Sequence, residues 1–305
     1  MSSKPEPTLN PFQILSSGGA MQLSGRDARA FAQAQFANDI APLGDGQWHW
    51  NLWLSPKGRV IAIFILLRLD AQNLLLWSPD FPVSELAQRL LRFRFRSKLE
   101  IIPLGDCASR GAFVAPARLD SPALGNRCHI EGAATDWTHL DFDLGAASGR
   151  CLRLRCAQPA DATPDPDFAA RWLLEDMAHG LPRLGPEQVE AHTPQMLGLE
   201  RLAAFSVKKG CYPGQEIVAR THFLGQAKRS LLRFALDAPA RAGTRLESDT
   251  GARAELVSTA SLGARHEALA VGPAASTEAF RSADGGLRAS PLPLLDGLAR
   301  GRAGG

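Results

Sequence analysis

Lys209-Gly210-Cys211-Tyr212-Pro213-Gly214-Gln215-Glu216 is the stretch around which the rest of the chain falls into place. Two glycines frame a cysteine, a proline stiffens the turn, and Gln215 to Arg220 supplies helix-forming residues. The spacing predicts a tight loop that delivers Cys211 close to a helix N-terminus. There the helix dipole and the cations of Lys208 and Lys209 favour thiolate over thiol, which is how a cysteine becomes reactive at neutral pH. A second reading stands beside it on spacing alone: Cys211 is a small apolar side chain in a turn, since no base or second cysteine is adjacent.

Upstream of this stretch the pattern alternates between strands and helices. Ser24 is expected to cap a helix over Arg26 to Phe36, with Asn38-Asp39 as its stop. Trp48 to Leu54 and Arg59 to Arg68 are apolar runs joined by Ser55-Pro56-Lys57-Gly58, a hairpin signal in which Gly58 takes the position needing positive φ. Leu74 to Trp77 and Lys98 to Ile102 read as strands on either side of an amphipathic helix, Val83 to Phe93. From Cys107 to Asp165 the pattern weakens into short strands and loops, with Cys151 to Arg155 the clearest strand. A second helix, Phe168 to His179, ends at Gly180-Leu181-Pro182, and Thr193-Pro194 opens a short helical segment through Leu202. Beyond Gly225, short strands such as Leu231 to Leu236 and Glu255 to Val257 alternate with Gly, Pro and Ser, the texture of a small β-barrel or sandwich.

Composition bounds the answer. A chain of 305 residues, 45% apolar and 21% charged, has the make-up of a globular protein and the length for more than one core. Its net charge of +3 leaves no nucleic-acid footprint by itself. The five cysteines are odd in number and form no CxxC pair, which argues against a disulfide framework and a zinc ribbon and favours a reducing compartment. The polar, proline-bearing Met1 to Asn10 is not expected to be a signal peptide. The longest apolar run, Val60 to Leu67, is far short of the roughly 20 residues that span a bilayer. The expected layout is a frayed tail over 1–11, an α+β region of two subdomains over 12–225, a barrel over 226–298 and a second tail over 299–305.

The run Lys-Gly-Cys-Tyr-x-Gly-Gln-Glu, with Arg220 four residues on, resembles the signature of the YgfZ family. Thr193 to Leu199 stands in the place of that family's P-x-x-x-x-L lead-in, and Trp172 with Gly180-Leu181-Pro182 looks like its W-x7-G-x-P helix. Phe31 to Asp39 and Ser55-Pro56-Lys57-Gly58-Arg59 are similar to its first helix and its KG hairpin. The resemblance spans roughly residues 20 to 236, and the C-terminal barrel is matched only by texture.

What the resemblance implies is an α+β fold shared with the aminomethyltransferase (T-protein) of the glycine cleavage system, built around a folate channel and closed by a C-terminal β-barrel. It implies tetrahydrofolate as cofactor and a role in assembly or repair of iron–sulfur clusters in client enzymes, with an indirect effect on tRNA modification. Cys211 carries over as the functional residue, and Lys209, as a neighbouring cation, would tune its thiol. Trp172 carries over as a folate contact, and the resemblance gives Tyr212, Gln215, Glu216 and Arg220 as further residues of the site. Gln215 and Glu216 would hold the loop by hydrogen bonds, and Arg220 would pair with Glu216 or meet the folate glutamate tail. A second family tryptophan is replaced by Gly18. The T-protein's catalytic carboxylate has only Val60-Ile61-Ala62-Ile63 in its place, which argues against glycine cleavage. A folate-dependent one-carbon transferase and a scaffold that binds cluster proteins without folate remain as alternatives. Cytoplasmic localisation, no membrane and no direct nucleic acid complete the expectation.

Other candidates have plainer readings beside them. Trp48, Trp50 and Trp53 suit pterin stacking but equally strand core. Asn38-Asp39 suits the channel or a helix-end turn. Arg92, Arg94 and Arg96, interleaved with Phe93 and Phe95, suit single-stranded nucleic acid or a solvated face. The seven histidines show no metal-ligand spacing along the sequence, so no metal site is expected.

Overall fold

The structure is a computed structural model that describes residues 11–15, 18–105, 107–114, 123–145, 149–156, 163–225, 227–296 and 298. Apart from Pro11, the two expected tails lie outside these residues. The first half runs β1 (Gln13–Ile14), β2 (Gly19–Ser24), α1 (Ala28–Gln35), β3 (Trp48–Leu54), β4 (Val60–Arg68), β5 (Asn73–Ser78), α2 (Val83–Leu91), β6 (Glu100–Leu104) and β7 (Ala108–Ala112). There follow β8 (His129–Ala133), β9 (Asp136–Asp143), β10 (Cys151–Arg155), α3 (Pro166–Ala178) and α4 (Gln215–Leu224), with a 3-10 turn at Leu199–Leu202. The last part is all β: β11 (Arg229–Leu236), β12 (Arg245–Ser248), β13 (Arg253–Leu262), β14 (Arg265–Pro273), β15 (Phe280–Ser282) and β16 (Arg288–Leu292).

Three sheets organise these elements, in the orders β3-β4-β5-β2-β6, β1-β7-β10-β9-β8, and a closed barrel β11-β14-β13-β12-β15-β16. The first sheet is antiparallel yet covered on both faces, which explains its near-continuous apolar runs. Trp48, Trp50, Ile63, Ile65 and Leu67 face the central core, while Phe64, Leu66, Leu74 and Leu76 face α1 and α2. A bulge at Ile61 shifts the β3–β4 register, so that Trp53 pairs with Ala62 and Leu54 with Val60. The central core also takes in residues of the second sheet, α3, the barrel and the Leu197–Phe205 segment. After β16 the chain crosses back, with Leu295 N–H donating to the Ala178 carbonyl and Trp50 Nε1 donating to that of Leu298. The closed barrel and the mixed helix-and-sheet body match the expected α+β class.

One boundary differs from the sequence reading. Ser24 does not cap α1: it ends β2, its hydroxyl donating to Asn73, and Gly25 turns the chain at φ +138°. Asp165 does cap α3, accepting from the N–H groups of Asp167 and Phe168, with Pro166 in the first turn and Gly180 after the end at φ +72°.

Candidate functional site

The signature loop lies directly on the β3–β4 hairpin. Gly58 and Gly214 both have positive φ, +66° and +79°, and they meet backbone to backbone. A Cβ on Gly214 would stand 2.6 Å from the Ser55 carbonyl oxygen and 2.7 Å from the Gly58 Cα, so neither glycine has room for a side chain. This contact sets the entry of α4, whose first residue is Gln215.

Around the loop each anchor has a visible partner. Lys209 is buried, and its Nζ donates to the carbonyls of Gln33, Phe36 and Asn38 at 2.6, 2.5 and 3.1 Å, clamping the end of α1 and the turn after it. Burial pulls its ammonium down to about 8, with Asp39 opposing the fall. Gln215 Nε2 donates to the Lys209 carbonyl at 2.9 Å, and Tyr212 Oη donates to that of Ser206 at 3.1 Å. Cys211, by contrast, is exposed.

The other cysteines differ in kind. Cys128 and Cys151 are buried, and burial pushes both thiols up. Cys107 is half-buried, and its thiol is pushed up by the neighbouring Cys156 and by burial. Cys156 is likewise half-buried, and Cys211 is the one exposed cysteine among the described residues.

Open volume flanks the loop on both sides. A cleft of about 550 Å³ is walled by Pro213, the hairpin residues Ser55 and Pro56, Trp53, the α2 side chains Glu85 and Arg89, and Arg92 and Phe93 just after the helix. Arg89 is engaged by Glu85 at 2.6 Å and Glu190 at 3.7 Å, whereas Arg92 makes no ion pair among the described residues. On the upstream side, pockets of about 210 and 270 Å³ share Ala203, Ser206 and Lys208. The smaller pocket reaches His49, whose Nδ1 is 2.6 Å from Asn38 Nδ2 and 2.9 Å from the Trp50 carbonyl. Burial holds that imidazole down at about 4, with the Trp50 carbonyl opposing and Lys209 adding to the fall.

Several expected roles need correction. Lys209 is a clamp on α1, with its ammonium directed to three carbonyls rather than to the thiol. Tyr212 is buried and tied to Ser206, so it offers no face to a ligand. Glu216 and Arg220 are both exposed and form no ion pair with each other. Trp172 is 2% exposed: its ring is packed on Gly111, stacked with Phe168, edge-on to Phe113, and covered by the Arg150 guanidinium at 4.8 Å. No ring face is left there for a pterin. Trp48 and Trp50 are likewise strand core, Trp53 is buried but borders the cleft, and Asn38 ties its turn to the carbonyls of Trp50 and Ala203. The α2–β6 connection does stay open, with Phe93 40% and Phe95 85% exposed between solvated arginines. The cleft beside Pro213 was not legible in advance, because it is assembled from α2, the hairpin and Glu190, far apart in sequence.

Comparison with known proteins places these features. No family model matches the chain. It is 40% identical over 234 residues to the tRNA-modifying protein YgfZ of Aliivibrio fischeri, covering 74% of this chain and 72% of that protein. It is 26% identical over 250 residues to the tRNA-modifying protein YgfZ of Colwellia psychrerythraea, covering 78% of this chain and 76% of that one. Among solved structures, the glycine cleavage system aminomethyltransferase T from Bartonella henselae superposes with a TM-score of 0.69 at 16% identity, over 95% of this chain and 87% of that one, a likeness of fold. An aminomethyltransferase fold whose hairpin and cysteine loop lock glycine to glycine, with that level of identity over most of the chain, makes this protein a member of the YgfZ family.

Proposed function

We propose that this protein binds a tetrahydrofolate and uses Cys211 to support the assembly or repair of iron–sulfur clusters in client enzymes. An effect on tRNA modification then follows indirectly, through the cluster dependence of enzymes that act on tRNA. The observation that carries this reading is the exposed Cys211 on a loop whose neighbours Lys209, Tyr212 and Gln215 are fixed to backbone carbonyls. A thiol that must meet a partner needs exposure and a fixed position together. No helix among the described residues is long and apolar enough to cross a membrane.

The fit to a folate rests on the cleft beside Pro213 rather than on Trp172. Pro56, Pro213, Ile61 and Phe93 give it apolar walls for a flat heterocycle. Glu85, Gln88 and Glu190 offer acceptors for the pterin N–H groups, and Arg92 is placed for a glutamate carboxylate. When bound, the folate supplies a reduced one-carbon carrier; the chain's own residues bind and orient it beside the cysteine loop. With Val60, Ala62 and Ile63 buried and apolar on β4, the strand offers no carboxylate for one-carbon transfer. That favours a binding role over the transferase alternative.

Calorimetric titration of the full chain with tetrahydrofolate tests the reading. Arg92→Ala is expected to weaken binding by about tenfold, the scale of one charge-assisted hydrogen bond. Absence of binding to the wild type would leave a folate-free scaffold as the better description.

A further inference from the structure

The second sheet ends at the edge strand β8, and its outermost hairpin carries a feature that the cysteine loop does not use. His129 and Glu131 alternate along β8 and so share one face, while His139 on β9 lies directly opposite Glu131. One donor atom from each of the three side chains falls within 4.8 Å of the others. His129 Nε2 and Glu131 Oε2 are 3.3 Å apart, and the two imidazole rings are 5.8 Å apart between centroids.

Ligand nitrogens and oxygens about 2.1 Å from a tetrahedral zinc stand roughly 3.4 Å from one another, so the His129–Glu131 pair is already at ligand spacing. His139 offers the third donor, within 4.8 Å of the other two. The backbone holds this arrangement in two ways. A bulge beyond Glu131 pairs Gly132 with Trp137, with Gly132 at φ +104°, and the hairpin closes without moving His139 out of register. On the same face as the cluster, Asp141 is buried opposite His129 with one oxygen 3.9 Å from His139 Nε2, and its two oxygens accept from Arg153 at 2.6 and 2.7 Å. Its charge is thereby compensated within the sheet, which leaves Glu131, 57% exposed, as the carboxylate of the cluster. The side chains of His129 and His139 are each about one-fifth exposed, open to an ion from solvent yet packed enough to keep their rotamers.

We propose that His129, Glu131 and His139 form a binding site for a divalent first-row transition-metal ion of the zinc class. Two imidazoles and one carboxylate suit such an ion and leave at least one coordination position for water. Sequence spacing gave no hint of this set: His129-x-Glu131 is too short a motif, and His139 joins it only through the β8–β9 register.

The test uses tag-free full-length protein with its thiols blocked by iodoacetamide, titrated with zinc by calorimetry and with cobalt by visible absorption. A single site is expected, with the strong ligand-field bands of low-coordinate cobalt and no thiolate-to-metal charge transfer. His129→Ala, His139→Ala and Glu131→Gln should each weaken it by about tenfold or more, while circular dichroism stays that of the wild type. Glu131→Gln is exposed and nearly isosteric, so its outcome does not depend on whether the histidine variants fold. Wild-type protein that binds neither ion, or binding that survives Glu131→Gln unchanged, would overturn the site.

Discussion

Cys211 and Trp172 sit in surroundings of opposite kind. Around Cys211 the neighbours are tied down and the side chain itself is exposed: Lys209 holds three carbonyls, Gln215 holds the Lys209 carbonyl, and Gly214 is pressed on Gly58. Around Trp172 the neighbours are large and the side chain is enclosed, its ring filling the space left open at Gly111 and sandwiched by Phe168 and Arg150. The difference teaches what each region is for. A rigid frame with an exposed thiol fits the site proposed for Cys211, whereas an enclosed indole with no free face is the construction of a core.

The sharpest way to break this comparison is to loosen the frame. Lys209→Met removes the donor from three carbonyls at the end of α1 and should cost about 4 kcal/mol of stability, since orphaned buried groups carry their full desolvation penalty. Urea unfolding measures it, and a loss under about 1 kcal/mol would show that the clamp is ornamental. Next in size, Trp172→Leu should cost about 3 kcal/mol through the cavity it leaves, with folate affinity unchanged in the folded protein. Weaker folate binding by a stable Trp172→Leu variant would return that residue to the site.

A smaller effect comes from the turn that Lys209 clamps. His49 beneath it is held at about 4 by burial, below its usual value of about 6.5. Its folded pKa is depressed, so the unfolded chain binds more protons in acid and stability falls as pH drops through the window from 6.5 to 4. Between pH 7 and 5 this group should account for about 2 kcal/mol, and His49→Gln should flatten that part of the pH–stability profile. An unchanged slope in the variant would mean that other groups set the acid sensitivity.

Much of this fold was legible because its signals are local. The hairpin at Ser55 to Gly58, the stop of α3 at Gly180, the helix α2 and the texture of the barrel each follow from residues a few positions apart. What sequence could not give was the partner across space. Lys209 next to Cys211 reads as a tuning cation, but its long stem reaches α1, some 170 positions earlier. Trp172 reads as a stacking platform, but Gly111 opposite it decides that the ring goes inward. The near-continuous apolar runs of β3 and β4 marked strands buried on both faces, but not which elements cover each face. For Cys211 the sequence left two readings open, and its exposure sets aside the one in which it is a small buried side chain in a turn.

The most direct test is replacement of Cys211 by serine, which changes volume little at an exposed position and should alter stability by less than about 0.5 kcal/mol. Expressed in cells lacking the corresponding family member, the Cys211→Ser chain should fold normally yet fail to restore the activity of a cluster-dependent enzyme that the wild-type chain restores. Full rescue by the serine variant would contradict the account, because the thiol would then be a passive part of the loop.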